Sequence, residues 1–190
     1  MFKRGIKNFL TYFFNGSKIL KFKKFGKGSF TCPRCKIIIG NNVCFGNDLR
    51  LSCYSADQKE TCIEIQDGVY GVSNISILTA SKVTIEENVL LASYINILGE
   101  NHSINPESEK KYGCQPLISF PISIKRGAWI GQNVTILTKK NGLVIGERSI
   151  VGAGSVVTKD VPDYCIAVGN PAKIIKRYNF EKHEWESIAE

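Results

Sequence analysis

Aliphatic side chains recur at every sixth position over most of the chain from residue 37 onward. A second apolar residue usually follows two positions later, and small or turn-forming residues often fill the second half of each unit. The recurring positions form five runs: Ile37, Val43, Leu49; Ile63, Val69, Ile75; Val83, Val89, Ile95; Ile122, Ala128, Val134; and Leu143, Ser149, Ser155, Val161. A helix repeats at about 3.6 residues and an isolated strand at about 2, so neither element produces this period.

A six-residue unit is typical of a parallel β-helix, in which each unit is a short strand followed by a bend. Three units make one triangular coil of about 18 residues, and the coils stack at the inter-strand spacing of roughly 4.8 Å. The recurring aliphatic side chains would then stack inside, and Gly or Asn would occupy corners that need a positive φ. The pattern therefore predicts an all-β fold, a parallel β-helix of hexapeptide repeats.

Shifts in the period locate the insertions. Short insertions are expected near residues 55–62, at Ser81-Lys82 and at 139–142, and a long one spans residues 101–121. A solenoid places its long insertions on one face, which is often the binding face. His102, one of only two histidines in the chain, stands at the root of this long loop. We therefore expect a long protruding loop with His102 at its base.

The basic character of the chain belongs to its first 28 residues. They hold eight of the 25 Lys and Arg residues and no acid, so the rest has seventeen basic and seventeen acidic residues. At the start of this basic segment, apolar residues fall at helical spacing: Phe2, Ile6, Phe9, Leu10 and Phe13. A short amphipathic basic helix of this kind can lie on an anionic membrane surface. It could equally cap the open end of the β-helix, and no nucleic-acid partner is expected.

Length and composition favour a single folded domain. The chain has 190 residues, 43% of them hydrophobic, and no apolar run approaches the roughly 18–20 residues that span a bilayer. No small-residue cleavage site follows the basic start, so no signal peptide is expected. We divide the chain into an N-terminal segment (1–28), a β-helix domain (29–175) and a C-terminal tail with a short helix (176–190). His183 would be a solvated residue of that helix.

The cysteine and histidine counts favour a cytoplasmic protein without a metal. Seven cysteines are an odd number without a secreted framework, so reduced thiols are expected. Cys32-Pro-Arg-Cys35 has the spacing of half a zinc site, but no second such pair follows. A metal-dependent hydratase on this fold would need three histidine ligands, and the chain has two histidines.

Three segments of the second half of the chain carry a family resemblance. SFPISIKRGAWIGQNVTI, VIGERSIVGAGSVVTKDVP and AVGNPAKIIKR resemble the hexapeptide-repeat acyltransferases, in particular the galactoside, maltose and surface-polysaccharide O-acetyltransferases. The resemblance implies a left-handed β-helix, a homotrimer, and an active site between neighbouring chains. It also implies acetyl-CoA as co-substrate, a sugar or glycan acceptor, and a general base at the start of the long loop, which is His102. Histidine suits that role because it titrates near neutral pH.

The resemblance also implies the other site residues. Relatives often have a serine oxyanion donor after the Trp-Ile-Gly turn, where this chain has Gln132, and Trp129 would line the substrate and pantetheine channel or anchor the trimer interface. The residues implied for coenzyme A are Gly131, Gly152, Ala153, Gly154, Thr158, Lys159, Lys173, Lys176 and Arg177. Relatives often carry arginine at the last positions, whereas Lys173 would contact a phosphate as a point charge. Asn74 matches an acceptor position.

We therefore expect an acetyl-CoA-dependent sugar O-acetyltransferase acting in a bacterial surface-glycan pathway, in the cytoplasm or at the inner face of the membrane. An N-acetyltransferase acting on an amino sugar or a nucleotide amino sugar would share the fold, the coenzyme and the base. A non-catalytic β-helix scaffold is the third alternative. It gives no reason for a histidine at the loop root beside a coenzyme channel.

Overall fold

The structure is a computed structural model that describes residues 22–24, 26, 28–31, 36–54 and 61–188. Three parallel sheets form the walls of a triangular solenoid, as the six-residue period predicts. Sheet 1 contains β1 (Gly28–Thr31), β4 (Leu49–Cys53), β7 (Ile75–Thr79), β10 (Ile95–His102), β14 (Thr135–Leu137) and β17 (Val156–Val157). Sheet 2 contains β2 (Lys36–Ile39), β5 (Thr61–Ile65), β8 (Val83–Ile85), β12 (Ile122–Ile124) and β15 (Leu143–Ile145).

Sheet 3 forms the third wall and ends in a C-terminal hairpin. Its parallel part contains β3 (Cys44–Phe45), β6 (Tyr70–Gly71), β9 (Leu90–Leu91), β13 (Trp129–Ile130), β16 (Ile150–Val151) and β18 (Cys165–Gly169). β19 (Ala172–Asn179) and β20 (Glu184–Ser187) follow as antiparallel strands. β11 (Leu117–Ser119) pairs antiparallel with β10 outside the three walls.

The recurring apolar positions form the core. All of them are buried, and most of the apolar residues two positions later are buried as well. Two polar members of the pattern satisfy their hydroxyls locally, because Ser149 donates to the Gly146 carbonyl at 2.8 Å and Ser155 to the Gly152 carbonyl at 2.7 Å. Each buried hydroxyl thus has the partner that a buried polar group needs.

Stacked residues with positive φ form two of the corners. The corner before sheet 3 contains Asn42, Gly68, Asn88, Gly127, Arg148 and Tyr164, and the corner after it contains Asp48, Asn74, Tyr94, Asn133 and Gly154. Successive coils are joined at these corners by backbone hydrogen bonds, such as the 2.8 Å bond from the Gly154 N–H to the Gln132 carbonyl. Asn and Gly are frequent here because both tolerate the left-handed region.

The solenoid begins before residue 29, the predicted start of the domain. Lys24 forms a parallel bridge with Cys44, and the Phe22 ring packs edge-on against Phe45 with a centroid distance of 6.0 Å. The amphipathic helix predicted for residues 1–14 and the Cys32–Cys35 pair lie outside the described residues, as do residues 55–60 of the first insertion. The described residues include no helix that is long and apolar enough to cross a membrane.

The predicted short C-terminal helix is wrong. β19 crosses the predicted boundary at residue 175 and pairs with β18, and β20 pairs with β19. His183 lies in the exposed turn between β19 and β20, with a φ of 55°. The edge of β18 offers unpaired backbone groups, and pairing with it satisfies them while Tyr178 packs against Trp185 at 5.3 Å. This tertiary pairing overrides the helical propensity of the segment.

Candidate active site

The long loop begins and ends in paired strands. β10 extends to His102, and the register with β11 places Glu100 opposite Ser119 and His102 opposite Leu117. His102 is therefore the last residue of a strand, and the excursion covers residues 103–116 rather than starting at residue 101 as predicted. A catalytic side chain gains from this arrangement, because a strand positions it more rigidly than a loop.

The His102 ring is oriented by the chain that returns from the loop. Its Nδ1 lies 3.2 Å from the backbone carbonyl oxygen of Gln115. A carbonyl oxygen only accepts hydrogen bonds, so Nδ1 is the protonated nitrogen of the neutral ring. Nε2 then carries the lone pair. The side chain of His102 is exposed, so Nε2 is open to a substrate.

Gln115 holds the loop together from inside. Its side chain is buried, accepts from the Asn105 N–H at 3.2 Å, and donates to the carbonyls of Asn105 at 3.0 Å and Lys110 at 3.2 Å. A short 3₁₀ turn at Tyr112–Cys114 precedes it. One residue thus fixes the loop through its side chain and the His102 ring through its backbone. No pattern in the sequence indicates this role, since glutamine in a loop is usually a solvated residue.

Glu100 shares the strand face of His102, two residues earlier. One carboxylate oxygen of Glu100, Oε2, is buried and has no hydrogen-bond partner. Burial raises the pKa of Glu100, and electrostatic interactions with His102 and Arg50 partly oppose the rise. A half-buried acidic group with a raised pKa thus lies two residues from the proposed base.

The residues predicted to contact coenzyme A lie in three places: the corner after sheet 3, the segment after β17, and the last strands of sheet 3. Gly131, Gly152, Ala153 and Gly154 are stacked on adjacent coils at the corner after sheet 3, next to Gln132, whose side chain is exposed. Lys173 lies on the next coil of this edge. It pairs with Val168 on β18, and the carbonyl of the neighbouring Ala167 accepts from the Gly152 N–H. Thr158 and Lys159 follow β17 on sheet 1, Lys176 pairs with Ile166 on sheet 3, and Arg177 pairs with Cys165 in the last coil.

Two of these glycines are also required by the coil itself. A Cβ at Gly131 would lie 2.7 Å from the Ala153 nitrogen, and one at Gly152 would lie 2.6 Å from Cγ1 of Val168. Gly154 differs, because its φ is 72° and no neighbouring atom lies within 4 Å of its Cβ position. The close stacking of coils therefore explains Gly131 and Gly152 without a ligand.

Within one chain, His102 is separated from the residues near the Trp-Ile-Gly turn. Asn96 on β10 pairs with Thr135, which follows the corner that contains Gln132, and His102 lies six residues further along β10. Six extended residues span on the order of 20 Å. Trp129 projects from the outer face of sheet 3 with 48% of its surface exposed. A single chain therefore does not bring His102 and the Trp-Ile-Gly turn together.

Asn74 belongs to the same corner stack as Gln132, two coils earlier. Its φ is 57°, its N–H donates to the Asn47 carbonyl at 2.9 Å, and its own carbonyl accepts from Ile95 at 3.1 Å. These contacts give Asn74 a role in the corner, and its half-buried side chain faces the same edge as Gln132. No group of His, Cys, Asp and Glu side chains among the described residues has the arrangement of a metal site.

No protein-family model matches the chain, but individual relatives do. WbbJ of Escherichia coli (strain K12), whose name assigns it to lipopolysaccharide biosynthesis O-acetyl transferases, is 33% identical over 156 residues, which cover 79% of this chain and 76% of WbbJ. The hexapeptide-repeat-containing acetyltransferase VCA0836 of Vibrio cholerae, solved with acetyl coenzyme A, is 30% identical with a TM-score of 0.60, over 74% of this chain and 70% of that one.

The chain belongs to the hexapeptide-repeat acetyltransferases. The predicted family is therefore confirmed, and the fold is the left-handed parallel β-helix of these proteins. Galactoside O-acetyltransferase of Escherichia coli (strain K12) is 37% identical over 117 residues, which cover 62% of this chain and 55% of that relative. The chain thus matches just over half the length of this hexapeptide-repeat acetyltransferase.

Proposed function

We propose that the protein transfers an acetyl group from acetyl-CoA to a hydroxyl group of a sugar, with His102 as general base. The observation that carries this proposal is the 3.2 Å contact between His102 Nδ1 and the Gln115 carbonyl. It leaves the lone pair on Nε2, which is the atom that would accept a proton from the acceptor. The names of the relatives and the acetyl-CoA bound to a solved neighbour support the same reaction.

His102 Nε2 takes the proton of the acceptor hydroxyl as its oxygen attacks the carbonyl carbon of the thioester. The new C–O bond converts the carbonyl into a tetrahedral oxyanion, for which the exposed Gln132 amide is the proposed donor. The C–S bond then breaks, and the protonated His102 returns its proton to the departing thiolate of coenzyme A. Proton and electron pairs balance without a metal or a redox group.

The proposed site forms between two chains of a homotrimer. His102 and Gln132 lie too far apart in one chain to act on the same carbonyl, and a neighbouring chain can bring a second copy of each residue into the cleft. The groove for coenzyme A would follow Gly131, Gly152, Ala153 and Gly154. The proposed phosphate contacts are Thr158, Lys159, Lys173, Lys176 and Arg177. Asn74 would contact the acceptor.

The acceptor is proposed to be a unit of a bacterial surface glycan. WbbJ is named for lipopolysaccharide biosynthesis, and it covers more of this chain than the galactoside enzyme does. The basic residues of segment 1–28 would bring a cytoplasmic enzyme to the anionic inner leaflet, where lipid-linked glycan precursors lie.

A direct assay tests the proposed reaction. The purified protein is incubated with acetyl-CoA and a panel of sugars, oligosaccharides, amino sugars and nucleotide sugars, and release of free thiol is followed. Acceptor-dependent thiol release with an O-acetylated product is expected. Products acetylated on nitrogen alone would favour the N-acetyltransferase alternative, and the absence of turnover with every acceptor would contradict the proposal.

A further inference from the structure

An open groove of about 540 Å³ lies on the outer face of sheet 3, beside the C-terminal hairpin. Its volume falls in the range of about 300–1,000 Å³ that is typical of small-molecule sites. Its lining includes five aromatic side chains and one charged one: Trp129, Tyr164, Tyr178, Phe180, Trp185 and Arg148. The groove therefore combines broad apolar surfaces with the cation of Arg148.

The aromatic walls of the groove support one another. Phe180 packs edge-on against Tyr164 at 4.8 Å and against Tyr178 at 5.0 Å, and Tyr178 packs against Trp185 at 5.3 Å. The hairpin register places Tyr178 opposite Trp185, and the Tyr178 N–H donates to the Tyr164 carbonyl at 2.9 Å. These contacts hold the groove open before a ligand binds, which lowers the entropic cost of binding.

Arg148 gives the groove a positive charge. The neighbouring carboxylate of Glu147 is already paired, since it accepts from Arg126 at 2.8 Å and from the Tyr164 hydroxyl at 3.3 Å. On β20, Glu186 is paired with Lys182 at 2.7 Å. The Arg148 guanidinium makes no hydrogen bond to any residue that the structure describes, so its donors are available to an anionic group.

The groove lies apart from Gln132 and the glycines of the proposed coenzyme path but next to Lys176, which pairs with Ile166 in the row of sheet 3 that also contains Ile150 and Trp129. It lies at the corner that contains Gly127, Arg148 and Tyr164, before sheet 3, whereas Gln132 and Gly154 lie at the corner after it. Trp129 precedes Gln132 by three residues, or about 10 Å of extended chain. Trp129 thus connects the groove with the proposed site of acetyl transfer.

We propose that this groove binds a segment of an acidic oligosaccharide acceptor, adjacent to the unit that is acetylated. The apolar faces of sugar rings would stack on Tyr178 and Trp185, and Arg148 would bind a carboxylate through two parallel hydrogen bonds. The inference rests on the proposed function and deepens it, because it makes the acceptor an acidic glycan chain larger than a monosaccharide.

Tryptophan fluorescence tests the groove directly, because the chain has two tryptophans and both line it. The full-length protein is titrated with trigalacturonate, a sialic acid trimer and neutral maltotriose. At least one acidic trimer should produce a saturable change, and maltotriose should bind at least tenfold more weakly. Arg148→Gln should weaken binding of the acidic trimer at least tenfold, and Tyr178→Ala should weaken it similarly.

Tyr70→Ala is the matched control, because Tyr70 is an exposed aromatic residue on the same outer face of sheet 3 but outside the groove. Its affinity for the acidic trimer should equal that of the wild type. Thermal melting checks that each variant folds, and Arg148→Gln keeps the test valid if Tyr178→Ala does not fold, since Arg148 is exposed.

Three results would overturn the proposal: no fluorescence change with either acidic trimer, equal binding by wild type and Arg148→Gln, or displacement of the trimer by 3′,5′-ADP, which would indicate a nucleotide site. Thiol release is measured in parallel. Turnover of a sugar by a protein that does not bind the acidic trisaccharide would contradict only the groove proposal. If the protein binds the acidic trisaccharide but never releases thiol, the proposed function is wrong and the groove proposal stands.

Discussion

The His102 ring and the Gln115 backbone carbonyl are joined across the base of the long loop by a 3.2 Å hydrogen bond. Replacing the ring should therefore remove the proposed base without disturbing the coil. His102→Ala is expected to lower kcat by about 10²–10⁴, the usual contribution of a general base. The melting temperature should not change, because the His102 side chain is exposed.

The matched control for that variant is His183→Asn, which changes the other histidine in an exposed turn and keeps a residue that tolerates positive φ. Its kcat should equal that of the wild type. Near-normal kcat for His102→Ala on the acceptor would show that another group removes the proton.

Gln115→Ala should loosen the loop that orients His102. The substitution removes three side-chain hydrogen bonds to the backbone of Asn105 and Lys110. We expect kcat to fall about tenfold with little change in KM for acetyl-CoA, because misplacing a catalytic group slows chemistry more than binding. Hydrogen exchange should accelerate at the Asn105 amide. Unchanged exchange there would show that Gln115 does not hold the loop.

Glu100→Gln should stabilise the protein at neutral pH. The unfolded carboxyl ionises near its ordinary value of 4.5, whereas burial raises the folded pKa. Glu100 therefore stays protonated to a higher pH in the folded state than in the unfolded state. The free energy of unfolding falls as the pH rises from about 4.5 through the folded pKa. Replacing the ionisable carboxyl should therefore raise Tm at pH 7 and change it little at pH 4.

Thermal melts of wild type and Glu100→Gln at pH 4 and pH 7 measure this difference. Glu107→Gln, a change at an exposed position of the loop, serves as the control and should shift neither melt. An equal gain at both pH values would mean that the effect does not come from ionisation of Glu100.

Two inactive variants should restore activity when mixed, if the site lies between chains. His102→Ala removes the base, and Ala153→Trp fills the proposed pantetheine groove at an exposed corner position. After denaturation and joint refolding, roughly one interface in four would combine an intact His102 with an intact groove. Activity near a quarter of the wild-type value is expected, with light scattering showing trimers. No recovery in well-folded mixed trimers would place both parts in one chain.

Lys159→Ala and Lys173→Ala should each raise KM for acetyl-CoA more than they lower kcat. Contacts to the nucleotide end of the coenzyme are the same in the ground state and the transition state, so losing one weakens binding rather than chemistry. Initial rates at varied acetyl-CoA measure both constants, with Lys140→Ala, at an exposed position in another loop, as the control. A fall in kcat alone would indicate a different path for the coenzyme.

The coils could be predicted from the sequence because their geometry repeats. Each coil imposes the same inward positions on the next, so Val83, Val89 and Ile95 are buried for the same local reason as Ile122 and its successors. The three walls and the place of the long loop follow directly from that period.

Features that depend on distant pairing could not be predicted in the same way. The segment around Glu184 and Trp185 has helix-forming neighbours, and it becomes a strand only by pairing with β19, which itself pairs with the free edge of β18. The role of Gln115 likewise depends on backbone groups of Asn105 and Lys110 that meet only in the folded loop. Neither the C-terminal strand nor the role of Gln115 follows from a periodic pattern in the sequence.

The long excursion leaves the register of the solenoid unchanged. Ile122 pairs directly with Val83 on sheet 2, although 38 residues separate them along the chain, and Ile124 pairs with Ile85. The excursion is closed on itself by the pairing of β10 with β11 and the hydrogen bond from the Ser103 N–H to the Pro116 carbonyl. Residues 103–116 therefore behave as an exchangeable module. Their length and sequence can differ while the coils fold as before, provided that a backbone carbonyl still reaches the His102 ring as that of Gln115 does.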